Sequence, residues 1–166
     1  VRYLIDGYNL AHKITLPAGK VGPARLDAAR TELLKIVADA HGDEVGTVSV
    51  IFDTKRSRHL ESEQVIHGID VRFAVGEQAD DMIERLIKAH QSPAQLTVVS
   101  DDHRVQAAAR RRRCRVLECN DYLDLLERMS GPKPEHIAEP EKPAVGDAAE
   151  WLAAFRDDRP TRPDGR

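Results

Sequence analysis

The chain has 166 residues, and its 25 Lys and Arg against 28 Asp and Glu leave a net charge of −3. One domain of ordinary size with a buried core is therefore expected, and a general basic coat of the histone kind is excluded. The longest stretch free of Asp, Glu, Lys and Arg, residues 89–100, is 12 residues long and interrupted by Pro93, too short to cross a bilayer. No basic leader precedes an apolar run at the amino terminus, and Cys114 and Cys119 flank a short predicted strand. A cytoplasmic protein with two reduced thiols is expected.

Residues 3–5 and 46–52 are apolar, β-rich runs that read as buried strands. Between them, residues 25–41 place Leu26, Ala29, Leu33, Ile36, Val37 and Ala40 at helical spacing and close on Gly42. A third strand follows at 69–75, a second helix at 77–91, a fourth strand at 96–100, a helix at 103–113, a fifth strand at 115–117 and a last helix at 121–129. This alternation predicts an α/β fold for residues 1–130, with a mostly parallel sheet covered by helices on both sides. Residues 131–166 hold six of the nine prolines and read as a Pro-rich tail. Within it, residues 147–156 offer Asp147 as an N-cap and an apolar face of Ala148, Trp151, Leu152 and Phe155, a short helix that packs on its own domain or binds a partner.

In an open parallel sheet the functional crevice lies at the carboxyl ends of the strands. Asp6 follows the first predicted strand, Asp53 the second, and Asp101 with Asp102 the fourth, while Asp80, Asp81 and Glu84 open the helix after the third. Helix capping, worth about 0.5–2 kcal/mol, accounts for Asp80, Asp81, Asp101 and Asp102 taken singly. Asp6 and Asp53 escape that account, because Gly-Tyr-Asn and Thr-Lys-Arg after them do not read as helix starts. Two carboxylates about 4 Å apart repel by about 4 kcal/mol at an effective dielectric of about 20. Several at one edge therefore predict a cation among them or shared protons. Hard oxygen ligands favour Mg²⁺ or Mn²⁺, ions that activate water for phosphodiester hydrolysis.

Four segments carry a family resemblance: Ile5-Asp6-Gly7-Tyr8-Asn9-Leu10, Val50-Ile51-Phe52-Asp53, Gln78-Ala79-Asp80-Asp81-Met82-Ile83-Glu84 and Val98-Val99-Ser100-Asp101-Asp102-His103-Arg104-Val105-Gln106. In this order they resemble the YacP-like NYN domains, a branch of the PIN-like nucleases. The resemblance covers about residues 2–129. It implies a PIN-like three-layer α/β/α sandwich and metal-dependent endoribonuclease activity. The implied acidic pocket comprises Asp6, Asp80 and one of Asp101 and Asp102, with Asp53 close by and Mg²⁺ or Mn²⁺ as cofactor. The family form carries one Asp followed by a polar residue where this chain reads Asp101-Asp102. Asp101 is the first choice, and Asp102 is a further ligand or the cap of the next helix. Asp81, Glu84 and Ser100 are expected around the ligands. Asn9 either orients Asp6 or a phosphate, or bonds a turn.

Two basic clusters survive the balanced total: Lys55, Arg56 and Arg58 just after Asp53, and Arg110, Arg111, Arg112 and Arg113 with Arg115. The first is placed to grip phosphates beside the acids. The second closes a helix, where arginines complement the dipole or contact RNA. Arg104 and Arg111 count as substrate-binding candidates, and Tyr8 as a stacking surface for one base. With 1 Trp, 3 Tyr and 3 Phe, stacking on many bases is excluded and binding of single-stranded RNA is expected to be phosphate-driven. The ribosome is a further candidate partner.

The alternative from another class is a catalytically silent RNA- or ribosome-binding module with the same fold. A haloacid-dehalogenase type phosphohydrolase needs Asp-x-Asp, which Asp53-Thr54-Lys55 lacks. The histidines are scattered and form no zinc motif.

Overall fold

The computed structural model describes residues 1–16, 21–53 and 62–131. In chain order the elements are β1 (Arg2–Asp6), α1 (Gly7–Ile14), α2 (Pro23–His41), β2 (Val48–Asp53), β3 (Glu63–Ile66), β4 (Ile69–Ala74), α3 (Ala79–Ala89), β5 (Leu96–Val99), α4 (His103–Arg111), β6 (Arg115–Leu117) and α5 (Cys119–Ser130). The strands form one sheet in the order β3-β4-β2-β1-β5-β6. β3 runs antiparallel to β4, and the remaining neighbours are parallel.

Alternation along each strand divides the core into two layers. Ile5, Val50, Phe52, Val71, Phe73 and Val99 pack with α1, α2 and α5. Leu4, Ile51, Ala74 and Val98 pack with α3 and α4. Central strands covered on both faces need apolar residues at successive positions, which is why Val50, Ile51 and Phe52 are all buried. The result is the three-layer α/β/α arrangement expected from the sequence. No helix among the described residues is long and apolar enough to cross a membrane.

Two elements differ from the sequence reading. Asp6 does begin a helix: its carboxylate accepts the Asn9 N–H at 3.3 Å, and α1 follows. The expectation that Asp6 escapes capping is thus corrected. Helical periodicity is hard to read in eight residues, and α1 is held by burial of Leu10 and Ala11. Gly7 is essential to that packing, because a Cβ there would collide with the Phe52 ring. The second addition, β3, is a short edge strand with half-exposed and exposed residues. His67 and Gly68, at φ 51° and 85°, turn it back so that Ile66 pairs with Ile69. Positive φ at both turn residues is the type I′ pattern, usually signalled by Asn-Gly.

Because the central strands are parallel, their carboxyl ends share one edge. The register pairs Asp6 with Ile51, Asp53 with Ala74, Ile5 with Val99, and Val99 with Leu117. Lys55, Arg56 and Arg58 lie outside the described residues, as does the tail with its expected helix at 147–156.

Candidate active site

Asp6 ends the buried strand β1, so its carboxylate is carried into the sheet edge rather than out into water. It is 7% exposed. One oxygen accepts the Asn9 N–H, and the other accepts the Ser100 hydroxyl at 3.3 Å. Burial raises its pKa from 3.8 to about 6, helped by the negative charge of Asp80 and opposed by the bonds from Asn9 and Ser100. Asp80 lies in the first turn of α3 and is half-buried. Its pKa is also raised, first by burial and then by Asp102, with Asp81 and Asp53 adding to the effect and Arg104 opposing it. Asp6, Asp53, Asp80 and Asp102 therefore act on one electrostatic site although they come from four segments.

The adjacent Asp101 and Asp102 have different surroundings. Asp102 caps α4, its Oδ1 accepting the N–H groups of Arg104 (2.7 Å) and Val105 (3.1 Å). Its own N–H donates to the Ser100 hydroxyl at 3.1 Å, which links it through Ser100 to Asp6. Asp101 is turned toward α1 and α5. Its Oδ1 accepts the Cys119 N–H at 2.7 Å, and its Oδ2 pairs with Lys13 Nζ at 3.0 Å. Burial pushes the Asp101 pKa up, but the Cys119 N–H and the Lys13 ammonium outweigh it, and the net shift is downward.

Around these carboxylates, Arg104 joins two helices. Its Nη2 donates to Asp81 Oδ1 at 2.6 Å, and its Nε lies 2.6 Å from Glu84 Oε1. That Glu84 oxygen is buried and receives no well-directed hydrogen bond, so the Glu84 pairing is one of charge. Asn9 Oδ1 accepts the Cys119 thiol at 3.6 Å, and the Asn9 amide also lowers the Asp6 pKa through a side-chain hydrogen bond. Tyr8 is half-buried and meets Phe52 edge-on, with ring centroids 5.0 Å apart. Arg111 is set apart from all of these, at the far end of α4.

Lys13, Cys119 and Glu118 were not legible as site residues. Glu118 directly follows β6, so the rule of acids at strand ends is the signal that would have found it, and it adds to the charge around Lys13. Lys13 and Cys119 carry no such signal, since each meets the site only through tertiary packing.

The sequence matches the YacP-like NYN domain over residues 3–152. The chain belongs to that family. Two solved structures are similar to this NYN domain. The crystal structure of Rae1 (YacP) from Bacillus subtilis is 26% identical, with a TM-score of 0.60, 78% of this chain and 75% of that chain being covered. The crystal structure of a mutant of the same Bacillus subtilis protein is 23% identical, also with a TM-score of 0.60, over 76% of this chain and 75% of that one. No curated protein matches. The family makes this a nuclease-type, RNA-related domain.

Whether the NYN domain's residues suit a metal is a matter of donor chemistry and number. Among the described residues, no three His, Cys, Asp or Glu side chains form a ready-made metal cage. Mg²⁺, however, keeps several waters and is commonly held by one or two carboxylates. Asp6, with its pKa raised by burial and by neighbouring Asp80, supplies hard anionic oxygen of that kind. The residues fit a water-rich divalent site rather than a cage.

Proposed function

We propose that the chain is a metal-dependent endoribonuclease that hydrolyses phosphodiester bonds of single-stranded RNA at the acidic edge of its sheet. The observation that carries this reading is Asp6, a carboxylate buried at a strand end with a second carboxylate, Asp80, raising its pKa further. Asp6 and Asp80 would hold Mg²⁺ or Mn²⁺ together with one of Asp101 and Asp102. Support for Asp102 comes from its charge acting on Asp80 and from its cap bonds using Oδ1 alone. Asp101, in contrast, has Oδ1 and Oδ2 engaged by Cys119 and Lys13. A bound divalent ion lowers the pKa of water and neutralises phosphate charge.

The protein's own groups supply the rest. Asn9 and Ser100 hold the Asp6 carboxylate in place. Asp53, at the end of β2, orients the attacking water and takes its proton. Arg104, fixed by Asp81 and Glu84, offsets the negative charge around Asp80. Lys55, Arg56 and Arg58 hold flanking phosphates. The proposed setting is the cytoplasm, and the proposed substrates are mRNA or ribosome-associated RNA. Residues 1–130 form the nuclease unit and 131–166 a tail; the division into Val1–Gly131 and Pro132–Arg166 supports this boundary.

The test incubates the purified full chain with single-stranded RNA, with Mn²⁺ or with chelator, beside an Asp6→Asn variant. Cleavage that requires the ion and disappears in the variant, with RNA still bound, is expected. Full activity in Asp6→Asn would sink the site assignment. Binding with no cleavage under any ion would favour the silent module.

A further inference from the structure

We propose that the edge of the sheet opposite the acids is a second RNA-contact surface, built from Arg110, Arg111, Arg113 and Arg115, which grips the phosphate backbone away from the bond being cut. The proposal rests on the ribonuclease reading and adds to it a place where a long substrate is held.

The topology separates the two surfaces. Helix α4 begins at its cap, Asp102, on the acidic edge and runs for nine residues, about 13 Å at the α-helical rise. The chain then re-enters the sheet as β6, where Arg115 pairs with Thr97, and Thr97 pairs in turn with Tyr3 near the start of β1. The arginines after α4 therefore stand at the amino ends of the strands. The sequence reads them as a separate cluster that closes a helix; the fold places that cluster at the edge opposite the acids.

Among the described residues their charge has no acidic partner. Arg110, Arg111, Arg112, Arg113 and Arg115 are all exposed. Among the described residues none of them enters an ion pair; Arg2, Arg25 and Arg128 also stand without one but are scattered, whereas these five lie within six residues of chain. Residues 103–117 contain no Asp or Glu. The α4 dipole accounts for cations in its last turn, Arg110 and Arg111, but not for arginines beyond it. Arg112 donates to the His90 carbonyl at 3.0 Å, tying it to the end of α3, and is left out of the proposed surface; Arg110 donates one N–H to Gln106 Oε1 of its own helix at 3.3 Å and keeps the other donors of its guanidinium.

Arg113 offers a way to test the surface. It sits just past the helix end at φ 60°, a left-handed conformation that Gly or Asn adopts at lower cost. Glycine would relieve this strain, so replacing Arg113 by Gly separates the backbone's preference from any contribution of the side chain.

The chemistry of the surface favours a phosphate backbone over an acidic protein or a membrane. Guanidinium groups pair bidentately with phosphate oxygens. No large hydrophobic side chain is exposed within residues 103–117, so this segment offers none of the apolar anchors that protein and lipid partners use.

The experiment measures binding of a long oligouridylate to the full-length Asp6→Asn protein across a range of salt, with and without Arg110, Arg111 and Arg113 changed together to Ala. Loss of these phosphate contacts should lower the slope of log affinity against log salt by about 2. The matching change to Lys should retain most of the slope. Arg113→Gly alone should raise the melting temperature while weakening RNA binding; a merely solvated arginine would give the first effect without the second. An unchanged slope in the Ala protein overturns the proposal. So does selective loss of binding to phosphatidylglycerol vesicles or polyglutamate with RNA binding intact. A parent protein that binds no RNA at any salt strikes the ribonuclease reading itself, whereas an unchanged slope removes this face alone.

Discussion

Asp6 works against the stability of the fold that places it. Its pKa rises from 3.8 to about 6 on folding, so the folded state holds the proton more tightly than the unfolded chain. The resulting penalty is absent below the unfolded value, accumulates as pH rises from there to about 6, and is complete above it at about 3 kcal/mol. Asp6→Asn keeps a good N-cap residue and removes the charge. Thermal melts in chelator should show the variant more stable than the parent at neutral pH, with the two converging toward pH 4. Equal stability at neutral pH would mean that the Asp6 carboxyl is not desolvated. The neighbouring acids can be separated in the same manner. Asp102→Asn preserves the cap of α4, so its melting temperature should stay within a degree or two while cleavage falls at least tenfold, more than in Asp101→Asn; the reverse order would return the ligand role to Asp101.

Among the elements, α1 decides how the first motif works. The Asp-Gly-Tyr-Asn segment reads as a strand end followed by a turn, yet Gly7 begins a helix packed directly against Phe52. Gly7→Ala should destabilise the domain by about 1–3 kcal/mol through overpacking, measured by urea unfolding. A variant with unchanged stability would show that Phe52 can move aside without cost. Helix α4 is informative at both ends, with Asp102 capping the end beside the acids and the arginines closing the other. Most of the strands were legible because each is a run of apolar residues bounded by turn signals. β3 was not, since four residues are too few to show a period and its apolar Val65 is exposed, and its turn carries His67-Gly68 in place of the usual Asn-Gly.

Across the whole molecule, the charge of −3 is a near-cancellation between regions. The tail has six basic against eight acidic residues, and the rest of the chain has 19 against 20. Folding separates particular charges that the total conceals: Asp6, Asp53, Asp80 and Asp102 act together at the carboxyl ends of the strands, and Arg110, Arg111, Arg113 and Arg115 stand at the amino ends. RNA binding should therefore weaken steeply with salt even though the net charge is negative, because local phosphate contacts rather than net charge set that dependence. Affinity that is flat across the salt range would contradict phosphate-driven binding.

Hydrophobic period and local order along the chain were enough for the alternating architecture and the strand-end positions of Asp6 and Asp53, and four short motif segments carried the resemblance to the family. None of these needs knowledge of distant partners. Packing alone showed that Asp101 turns to Lys13 and Cys119 while the charge of Asp102 acts on Asp80, that Arg104 bridges Asp81 and Glu84, and that Arg111 stands on the far edge. Each of these is a contact between residues far apart in sequence or a direction set by the fold. Adjacent carboxylates with the same local signal acquire different roles only when folding brings a cation to one and another acid to the other.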